Sequence, residues 1–284
     1  MKFLIDVLKL LRPHQWLKNL MLYFPPFLGG VIVEPSVFFK GLIPFFAFCL
    51  ASSSTYIVND IFDAPNDAQH PKKKLRPIAA GKISPLQGWV LASLLVVVAV
   101  FLSLQVTGHF LVVLACYLLL SLAYTVKLKN IAIVDLFCIS IFFLLRLEAG
   151  GQAFEIIVSD WLFLSVFLLA LFLSTGKRLC ERNCLGKIAG DHRKSLQDYP
   201  EGLLDGIMYM TAAAVLVTYT LYVISRHGMV YTVPLCCFGL IRYMYRVKVG
   251  QGGDPTYALL QDPLLFGVGG LWTLMVGYWI YFGT

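Results

Sequence analysis

Three aspartates and one asparagine are spaced so that a single helix would carry them close together. Asn59, Asp60, Asp63 and Asp67 lie at the end of an apolar segment, and the three carboxylates fall within an arc of roughly 60° on an α-helix. Carboxylates this close repel one another. Mg²⁺ would relieve the repulsion, because it binds carboxylate oxygens and keeps other positions for water or phosphate. The spacing therefore predicts a catalytic magnesium site on the three aspartates with Asn59 beside it; the alternative is a solvated helix end.

A basic run follows the aspartates at once and indicates what the metal would bind. The run contains Lys72, Lys73, Lys74 and Arg76. Aspartates that could hold a metal ion, followed by basic residues that could bind phosphate, are typical of a diphosphate site. We expect Lys73 and Arg76 to contact the diphosphate. Pro65 interrupts the aspartate motif, and a proline removes a backbone donor and bends a helix. The shared face is therefore a firmer prediction for the first two aspartates than for the third.

A second polar segment, 177–204, is expected to contact another phosphate group. Its charged residues include Lys177, Arg178, Glu181, Arg182, Lys187, Asp191, Arg193, Lys194 and Asp198. Lysine and arginine at the rim of a membrane cavity can hold phosphate, and arginine does so through two parallel hydrogen bonds. We predict this role for Lys177, Arg178, Arg193 and Lys194. The alternative is a solvent face of salt bridges between residues four apart, such as Lys177 and Glu181.

Charged residues also occur inside or beside apolar segments, where charge is expensive and indicates function. Asp135, Arg146 and Glu148 lie in one such segment. Asp135 is nearest its end, and we expect it to face the substrate, whereas Arg146 either binds substrate or pairs with Glu148 or a neighbouring helix. At the start of the first apolar segment, Arg12 and Lys18 either mark topology or reach a lipid phosphate, and Lys18 is the predicted substrate contact of the two.

The composition is typical of an all-α polytopic membrane protein. The mean hydropathy is +0.76, and 58% of the residues are hydrophobic and 14% charged, whereas about 25% charged is usual in a soluble domain. Nine apolar segments are long enough to cross a bilayer as helices of roughly 20 residues. They are 16–33, 38–58, 85–106, 109–127, 131–152, 160–177, 205–225, 229–247 and 263–283. One domain, 1–284, accounts for the chain, with catalytic loops at 59–84 and 177–204.

The basic residues predict how these spans are oriented, because cytoplasmic loops carry the excess of lysine and arginine. With the N-terminus in the cytoplasm, only Lys40 and Arg226 of the 23 basic residues fall in outside loops. This places the N-terminus and both catalytic loops in the cytoplasm. The asymmetry and phosphate binding together account for the net charge of +7, so no nucleic-acid partner is predicted.

The first eleven residues are expected to form a helix at the membrane surface. Leu4, Leu8 and Leu11 lie on one helical face, while Lys2 and Lys9 lie elsewhere. The seven cysteines show no zinc-binding pattern and are predicted to form no disulfide.

The motifs together resemble a known family. The Asn-Asp-x-x-Asp-x-x-x-Asp pattern after the second of nine spans resembles the UbiA superfamily of intramembrane prenyltransferases. Other segments resemble its decaprenyl-phosphate phosphoribosyltransferase branch: Arg-Pro-His-Gln-Trp-Leu-Lys-Asn at 12–19, the run 70–81, Gly-Lys-Arg at 176–178 and His-Arg-Lys at 192–194. The aspartate pattern marks the superfamily, and the other segments mark the branch.

The resemblance implies a ring of nine helices around a central cavity that opens to the cytoplasm, in the bacterial cytoplasmic membrane. It implies an enzyme of cell-envelope biosynthesis that transfers 5-phosphoribose from phosphoribosyl diphosphate to a polyprenyl phosphate and uses Mg²⁺. Ordinary members of the superfamily carry a second Asp-x-x-x-Asp motif after the sixth span, a spacing that 177–204 lacks. Its cations suit a lipid phosphate or a ribose 5-phosphate instead. Tyr124 and Lys127, at the inner end of the fourth span, would add to this site.

Two other functions fit part of the sequence. A UbiA-type prenyltransferase would move a prenyl group from its diphosphate to an aromatic or other acceptor, with the same fold and metal. A lipid-phosphate transporter or flippase would explain the apolar bundle and its basic rims, but not three aspartates grouped on one side. Membrane lipid is an expected partner in every case, and a homo-oligomer is compatible with the sequence.

Overall fold

The computed structural model describes residues 2–69, 73–185, 194–226 and 228–283. Within these ranges the chain is helical and has no β-strand, which confirms the all-α prediction. The α-helices are α1 (Lys2–Leu11), α2 (Phe24–Leu28), α3 (Pro35–Lys40), α4 (Leu42–Gln69), α5 (Pro85–Ser103), α6 (Gly108–Val126), α7 (Val134–Phe154), α8 (Asp160–Leu185), α9 (Leu203–Ile224), α10 (Val233–Lys248), α11 (Pro255–Gln261) and α12 (Pro263–Tyr281). The 3₁₀ segments are Pro13–Tyr23, Lys73–Leu75, Leu128–Asn130, Lys194–Leu196 and Met229–Thr232.

Six helical stretches in these ranges are long and apolar enough to cross a membrane. They are α3 with α4, α5, α6, α8, α9 and α12. The other predicted spans differ for physical reasons. Segment 16–33 is a 3₁₀ segment followed by the short α2, which contains Pro25 and Pro26. Segment 131–152 becomes α7 with its three charged residues, and 229–247 becomes α10, whose 16 residues fall short of roughly 20. The chain has the helices of a multi-pass membrane protein, and nine crossings stay a prediction.

The helices form two compact units, and each is described by itself. The first unit comprises residues 1–27, 31–129 and 145–157, and the second comprises 28–30, 130–144 and 158–284. Helix α7 contributes its start to the second unit and its end to the first. The prediction of one domain over 1–284 is not decided by this division.

The first unit is built on α4, which packs against α1, α5, α6 and the 3₁₀ segment Pro13–Tyr23. One core cluster joins α1 to α4, α5 and the loop between those two helices; its buried members are Leu10, Ile57, Ile78, Ile83, Ala92 and Leu95. Gly88 lets α5 lie close to α4, because a Cβ there would stand 3.0 Å from Ile61. These contacts hold the last turns of α4 between α1 and the loop that precedes α5.

Helix α4 continues through Pro65 to Gln69. Proline at this position removes one backbone hydrogen bond, the one that its own N–H would donate to the carbonyl of Ile61. All three aspartates of the motif therefore lie on a single helix, within its last three turns. They keep the angular spacing that the sequence predicted.

The second unit is built on the packing of α8 against α9 and α10. Its core contains the side chains of Phe172, Leu179, Leu204, Met208 and Tyr243. The Tyr243 hydroxyl, a single donor, lies 3.0 Å from the carbonyl oxygen of Leu173 and 2.7 Å from that of Gly253. This residue therefore holds the loop after α10 against α8.

A buried carboxylate joins the last helices of the second unit. Asp262 caps the first turn of α12 by accepting from the N–H groups of Leu264 and Leu265. The same side chain accepts from Arg242 and Arg246 of α10, each at 3.0 Å. The Asp262 carboxylate thus accepts from two arginines as well as from two backbone N–H groups, and these partners offset the cost of burying its charge.

The close approach of α7 to the 3₁₀ segment Pro13–Tyr23 gives a test of packing in the first unit. A Cβ at Gly150 would stand 2.2 Å from the carbonyl oxygen of Leu22, so Gly150→Ala should force the backbones apart and lower stability by about 1–3 kcal/mol. The measurement is the thermal midpoint of detergent-solubilised protein, followed by size-exclusion chromatography. The control is Gly206→Ala in α9, where a Cβ meets nothing within 4 Å and alanine favours the helix. Equal midpoints for the two variants would contradict the packing.

Candidate active site

Two of the motif aspartates share one guanidinium. Arg76 Nη1 lies 3.0 Å from Asp60 Oδ1 and 2.6 Å from Asp67 Oδ2. A second arginine, Arg12, places its Nη2 2.5 Å from the same Asp60 oxygen, and its guanidinium stands 5.3 Å from the ring centre of Tyr56. Asp60 is only 2% exposed. We call these four charged residues, Arg12, Asp60, Asp67 and Arg76, the arginine–aspartate cluster.

The third aspartate is paired separately. Lys129 Nζ lies 2.5 Å from Asp63 Oδ1 and 3.2 Å from Asn59 Oδ1. The Asn59 amide donates to the other Asp63 oxygen at 2.9 Å. Asn59 is therefore fixed by both neighbours, with its oxygen toward a cation and its amide toward a carboxylate.

The pairing reverses the order in which the aspartates were expected to share a face. Asp60 and Asp63 were the firmer pair in the sequence, yet it is Asp60 and Asp67 that meet at one partner. Two full turns separate residues seven apart, leaving an offset of roughly 20°, whereas residues three apart are offset by roughly 60°. Because α4 stays helical past Pro65, Asp60 and Asp67, which have the smaller offset, are the two that meet at one partner.

The sequence assigned a substrate role to Arg76, which lies here, but it missed Arg12 and Lys129 as partners of the aspartates. Arg12 was considered as a topology marker or a ligand for a lipid phosphate, and Lys129 was only one of the cytoplasmic cations. Their partners lie 48 and 66 residues away in the sequence. The one local signal is that Arg12 precedes a proline, which disfavours the right-handed helical conformation; its φ is 53°.

The aspartates fit a divalent ion in chemical type but do not converge on one point. Among the residues that the structure describes, no three His, Cys, Asp or Glu side chains are grouped closely enough to hold a metal as they stand. The donors available are hard carboxylate oxygens, the type that Mg²⁺ prefers. Each carboxylate lies against a lysine or arginine, so positively charged groups already occupy the space next to the aspartates.

The second unit contains a buried ion pair between two residues predicted to bind substrate. Arg178 Nε lies 2.7 Å from Asp135 Oδ2, and the two side chains are 2% and 0% exposed. Arg178 also donates to Glu181 at 2.7 Å. In the structure, Asp135 therefore contacts Arg178 of α8. The sequence, in contrast, predicted that Asp135 faces the substrate.

Tyr199 ties this pair to the start of α7. Its hydroxyl donates to Asp135 Oδ1 at 2.6 Å and accepts from the backbone N–H of Ile133 at 2.7 Å. Burial and the neighbouring carboxylate raise the pKa of Tyr199 above its ordinary value, so the phenol keeps its proton. Ile133 has a φ of 68°, which is strained for a β-branched residue. Tyr199 thus holds a strained turn and a buried charge together.

Lys177 has a different partner from the one its spacing suggested. Its Nζ lies 3.0 Å from Asp254 Oδ2, whereas a pair with Glu181 was the expected alternative to phosphate binding. Lys177, Glu181 and Asp254 line a cavity of about 330 Å³ beside the loop after α10. The side chain is about one-third exposed, so it remains accessible to a ligand.

The other predicted substrate contacts are dispersed or lie outside the described residues. Lys18, Lys73 and Tyr124 are half-buried, and Lys127 is exposed at the end of α6. Arg193 lies outside the described residues, as does Lys72, and only the backbone of Lys194 is described. The structure does not decide the predicted role of any of these residues.

Arg146 is a packing and hydrogen-bonding residue of the first unit. Its Nε donates to Asn19 at 2.8 Å and its Nη2 to the Tyr117 hydroxyl at 3.0 Å. Asn19 in turn donates to Ser52 and to the Cys49 sulfur, each at 3.2 Å. Of the alternatives that the sequence left for Arg146, these contacts favour attachment to neighbouring helical segments.

Comparison with known proteins places these features in a family context. The model of the UbiA prenyltransferase family matches residues 23–267. A decaprenyl-phosphate phosphoribosyltransferase of Mycolicibacterium smegmatis is 33% identical, covering 97% of this chain and 92% of that protein. The Mycobacterium tuberculosis protein of the same name is also 33% identical, over 98% and 95% of the two chains. Among solved structures, a UbiA homolog from Archaeoglobus fulgidus bound to GPP and Mg²⁺ has a TM-score of 0.75 at 18% identity, covering 96% and 98%.

The buried pair of the second unit can be tested by stability. Asp135→Asn removes the buried carboxylate partner of Arg178 and leaves it the partly exposed Glu181. The substitution should lower stability by up to about 3–5 kcal/mol. Lys177→Ala is the matched control, because it breaks a partly exposed pair expected to contribute less than about 1 kcal/mol. The thermal midpoints of both variants in detergent give the comparison. An unchanged midpoint for Asp135→Asn together with weaker substrate binding would restore the sequence prediction.

Proposed function

This chain belongs to the UbiA prenyltransferase family, and on that premise we propose that it is a polyprenyl-phosphate phosphoribosyltransferase. It transfers 5-phosphoribose from phosphoribosyl diphosphate to a polyprenyl phosphate of the decaprenyl type and releases diphosphate. The observation that carries this proposal is identity along nearly the whole chain to relatives named for that activity. The aspartates of α4 and the cations paired with them support the same chemistry, because carboxylates could hold a metal ion and cations could bind a diphosphate leaving group.

The arginine–aspartate cluster is assigned to the diphosphate. Arg12 and Arg76 are within hydrogen-bond distance of carboxylate oxygens, and a guanidinium binds phosphate oxygens with the same fork geometry. Lys129, held beside Asn59 and Asp63, adds a third cation. Charge develops on the leaving diphosphate as the bond to the ribose breaks, and fixed cations stabilise that charge without reorganising.

Mg²⁺ is the proposed cofactor, with Asp60, Asp63 and Asp67 as the residues that would hold it. The ion would supply positive charge that neutralises the diphosphate. Asn59 offers an amide oxygen beside these carboxylates. The lipid phosphate is already an anion, so the protein needs no strong general base for attack on the ribose, and its contribution is positioning and electrostatics.

The second phosphate group is assigned to cations of 177–194. Lys177, Arg193 and Lys194 are the proposed contacts for the lipid phosphate or the ribose 5-phosphate, with Lys18, Lys73, Tyr124 and Lys127 as additional candidates. Arg178 and Asp135 are assigned a positioning role, because they are buried against each other. A bundle of nine spans around a cavity open to the cytoplasm, in the bacterial inner membrane, completes the proposal.

A transfer assay tests the function directly. The purified protein in vesicles is given radiolabelled phosphoribosyl diphosphate, a polyprenyl phosphate and Mg²⁺, and label in the lipid fraction is measured. Labelled lipid that disappears on addition of EDTA would support both the reaction and the metal. Activity only with a prenyl diphosphate as donor would replace the proposal by ordinary prenyl transfer. Lipid-phosphate movement without metal or donor would indicate a transporter.

Substitution of the motif aspartates tests their assigned role. Asp60→Asn and Asp63→Asn should each lower kcat by at least about a hundredfold, since a fixed electrostatic contact in the transition state commonly contributes that much. The control is Asp160→Asn, an exposed aspartate at the start of α8, which should keep normal turnover. Chromatographic profiles should show that all three variants are folded. Wild-type turnover of Asp60→Asn at saturating Mg²⁺ would remove that residue from the proposed site.

A further inference from the structure

We propose that α1 docks on anionic lipid head groups and that this contact sets the position of Arg12 against Asp60. The inference rests on the proposed function only in treating Asp60 as part of the active site. The occupant of the outer face of α1 is a lipid surface, identified by the chemistry of the helix and by where the helix lies.

Helix α1 carries both buried and exposed apolar side chains, whereas the sequence predicted one face formed by Leu4, Leu8 and Leu11. Leu10 is fully buried, and Val7 and Leu11 pack against the same core as Ile57, Ile78 and Ile83. Phe3 and Leu4 lie seven residues before Leu10 and Leu11, on the same side of the helix but two turns further from that core. They are exposed, as is Leu8, and Leu4 is 63% exposed. We call Val7, Leu10 and Leu11, which pack on the core of the first unit, the inner face of α1. We call the exposed Phe3, Leu4 and Leu8, which lie outside that core, its outer strip.

The helix lies beside the point where α5 begins, which marks a membrane boundary. Asp6 Oδ1 is 3.7 Å from Lys82 Nζ, and Lys82 lies two residues before the capping Ser84 of α5. The first turns of α5 expose Leu86 and Trp89, and tryptophan is enriched where lipid meets water. The outer strip of α1 is therefore at the depth of the head groups.

Charge selects an anionic surface. Lys2 and Lys9 belong to α1, Lys9 is exposed, and the one acidic side chain of the helix, Asp6, lies against Lys82. A helix with lysine beside an exposed apolar strip lies in the head-group layer, and anionic lipids strengthen that contact.

The end of α1 is joined to the site through a rigid bend. Arg12, next after α1, has a left-handed backbone with φ 53° and ψ 58°, a conformation that only surrounding contacts maintain. Ser53 of α4 supplies such contacts: its hydroxyl donates to the carbonyl of Leu11 at 2.7 Å and accepts from the indole of Trp16 at 3.0 Å. Both sides of the bend are fixed to α4, the helix that carries Asp60.

A shift of α1 therefore reaches Arg12 directly. Leu11 is the last residue of the helix, and Arg12 Nη2 lies 2.5 Å from Asp60. Head groups that hold the outer strip of α1 keep its inner face seated and the bend closed. Loss of that support leaves the Ser53 hydrogen bonds and the inner face alone to hold the bend. The guanidinium of Arg12, which the proposed reaction uses on the diphosphate side, is then positioned less firmly.

Hydrogen exchange tests the docking without relying on activity. The full chain is placed in nanodiscs of phosphatidylcholine alone, or with one-third phosphatidylglycerol, and exchange of the α1 amides is followed by mass spectrometry. We expect exchange at least about threefold slower in the anionic discs, because opening must break lipid contacts, and a loss of this difference in 1 M salt. Equal exchange in the two discs would overturn the proposal. Protection that depends on the number of protein copies per disc would assign the strip to a second copy instead.

Matched variants connect docking to the site. Phe3→Gln with Leu4→Gln removes two exposed apolar side chains, and Ile157→Gln, at a 95% exposed position outside the helices, is the control. In anionic discs the double variant should lose the protection of α1 and raise the KM for phosphoribosyl diphosphate severalfold with a smaller change in kcat. The control should change neither quantity. Lost protection with unchanged KM would overturn the link to Arg12 and keep the docking, whereas an absence of transfer in every sample, wild type included, would count against the proposed function alone.

Discussion

The carboxylate of Asp60 is the constraint around which the first unit is arranged. It is almost fully buried near the end of α4, where an unpaired charge would be strongly destabilising. Its two cations come from opposite directions along the chain, Arg12 from 48 residues before and Arg76 from 16 residues after. Both can reach it only if the N-terminal helix and the loop before α5 fold back onto α4.

The hydrophobic core of the first unit matches that requirement. Leu10 precedes Arg12 by two residues, and Ile78 follows Arg76 by two residues, and both belong to one buried cluster with Ile57 of α4. Apolar burial and charge pairing therefore act on the same segments. The apolar contacts bring the chain back to α4, and the ion pairs fix which face of the helix it meets.

Much of this was accessible from the sequence, because the relevant rules are local. Helical periodicity placed the three aspartates near one face, although it favoured Asp60 with Asp63 over Asp67. Hydropathy identified the long apolar helices, and the motifs identified the family. Partners distant in sequence were not accessible: Lys129 lies 66 residues from Asp63, and Arg178 lies 43 from Asp135. The sequence predicts that Asp135 faces the substrate, because charge in an apolar segment usually indicates function. A buried arginine on another helix can also offset the cost of that charge.

The six charged side chains at the end of α4 and around it form an electroneutral group. Asp60, Asp63 and Asp67 supply three negative charges, and Arg12, Arg76 and Lys129 supply three positive ones. A ligand that brings a net charge into this partly buried site disturbs the balance at a high electrostatic cost. A diphosphate group and a divalent cation that arrive together bring less net charge than either alone, and disturb the balance less. For the proposed site, the neutrality of the protein's own charges would favour cooperative entry of the anionic donor and its counter-ion, each binding weakly when the other is missing.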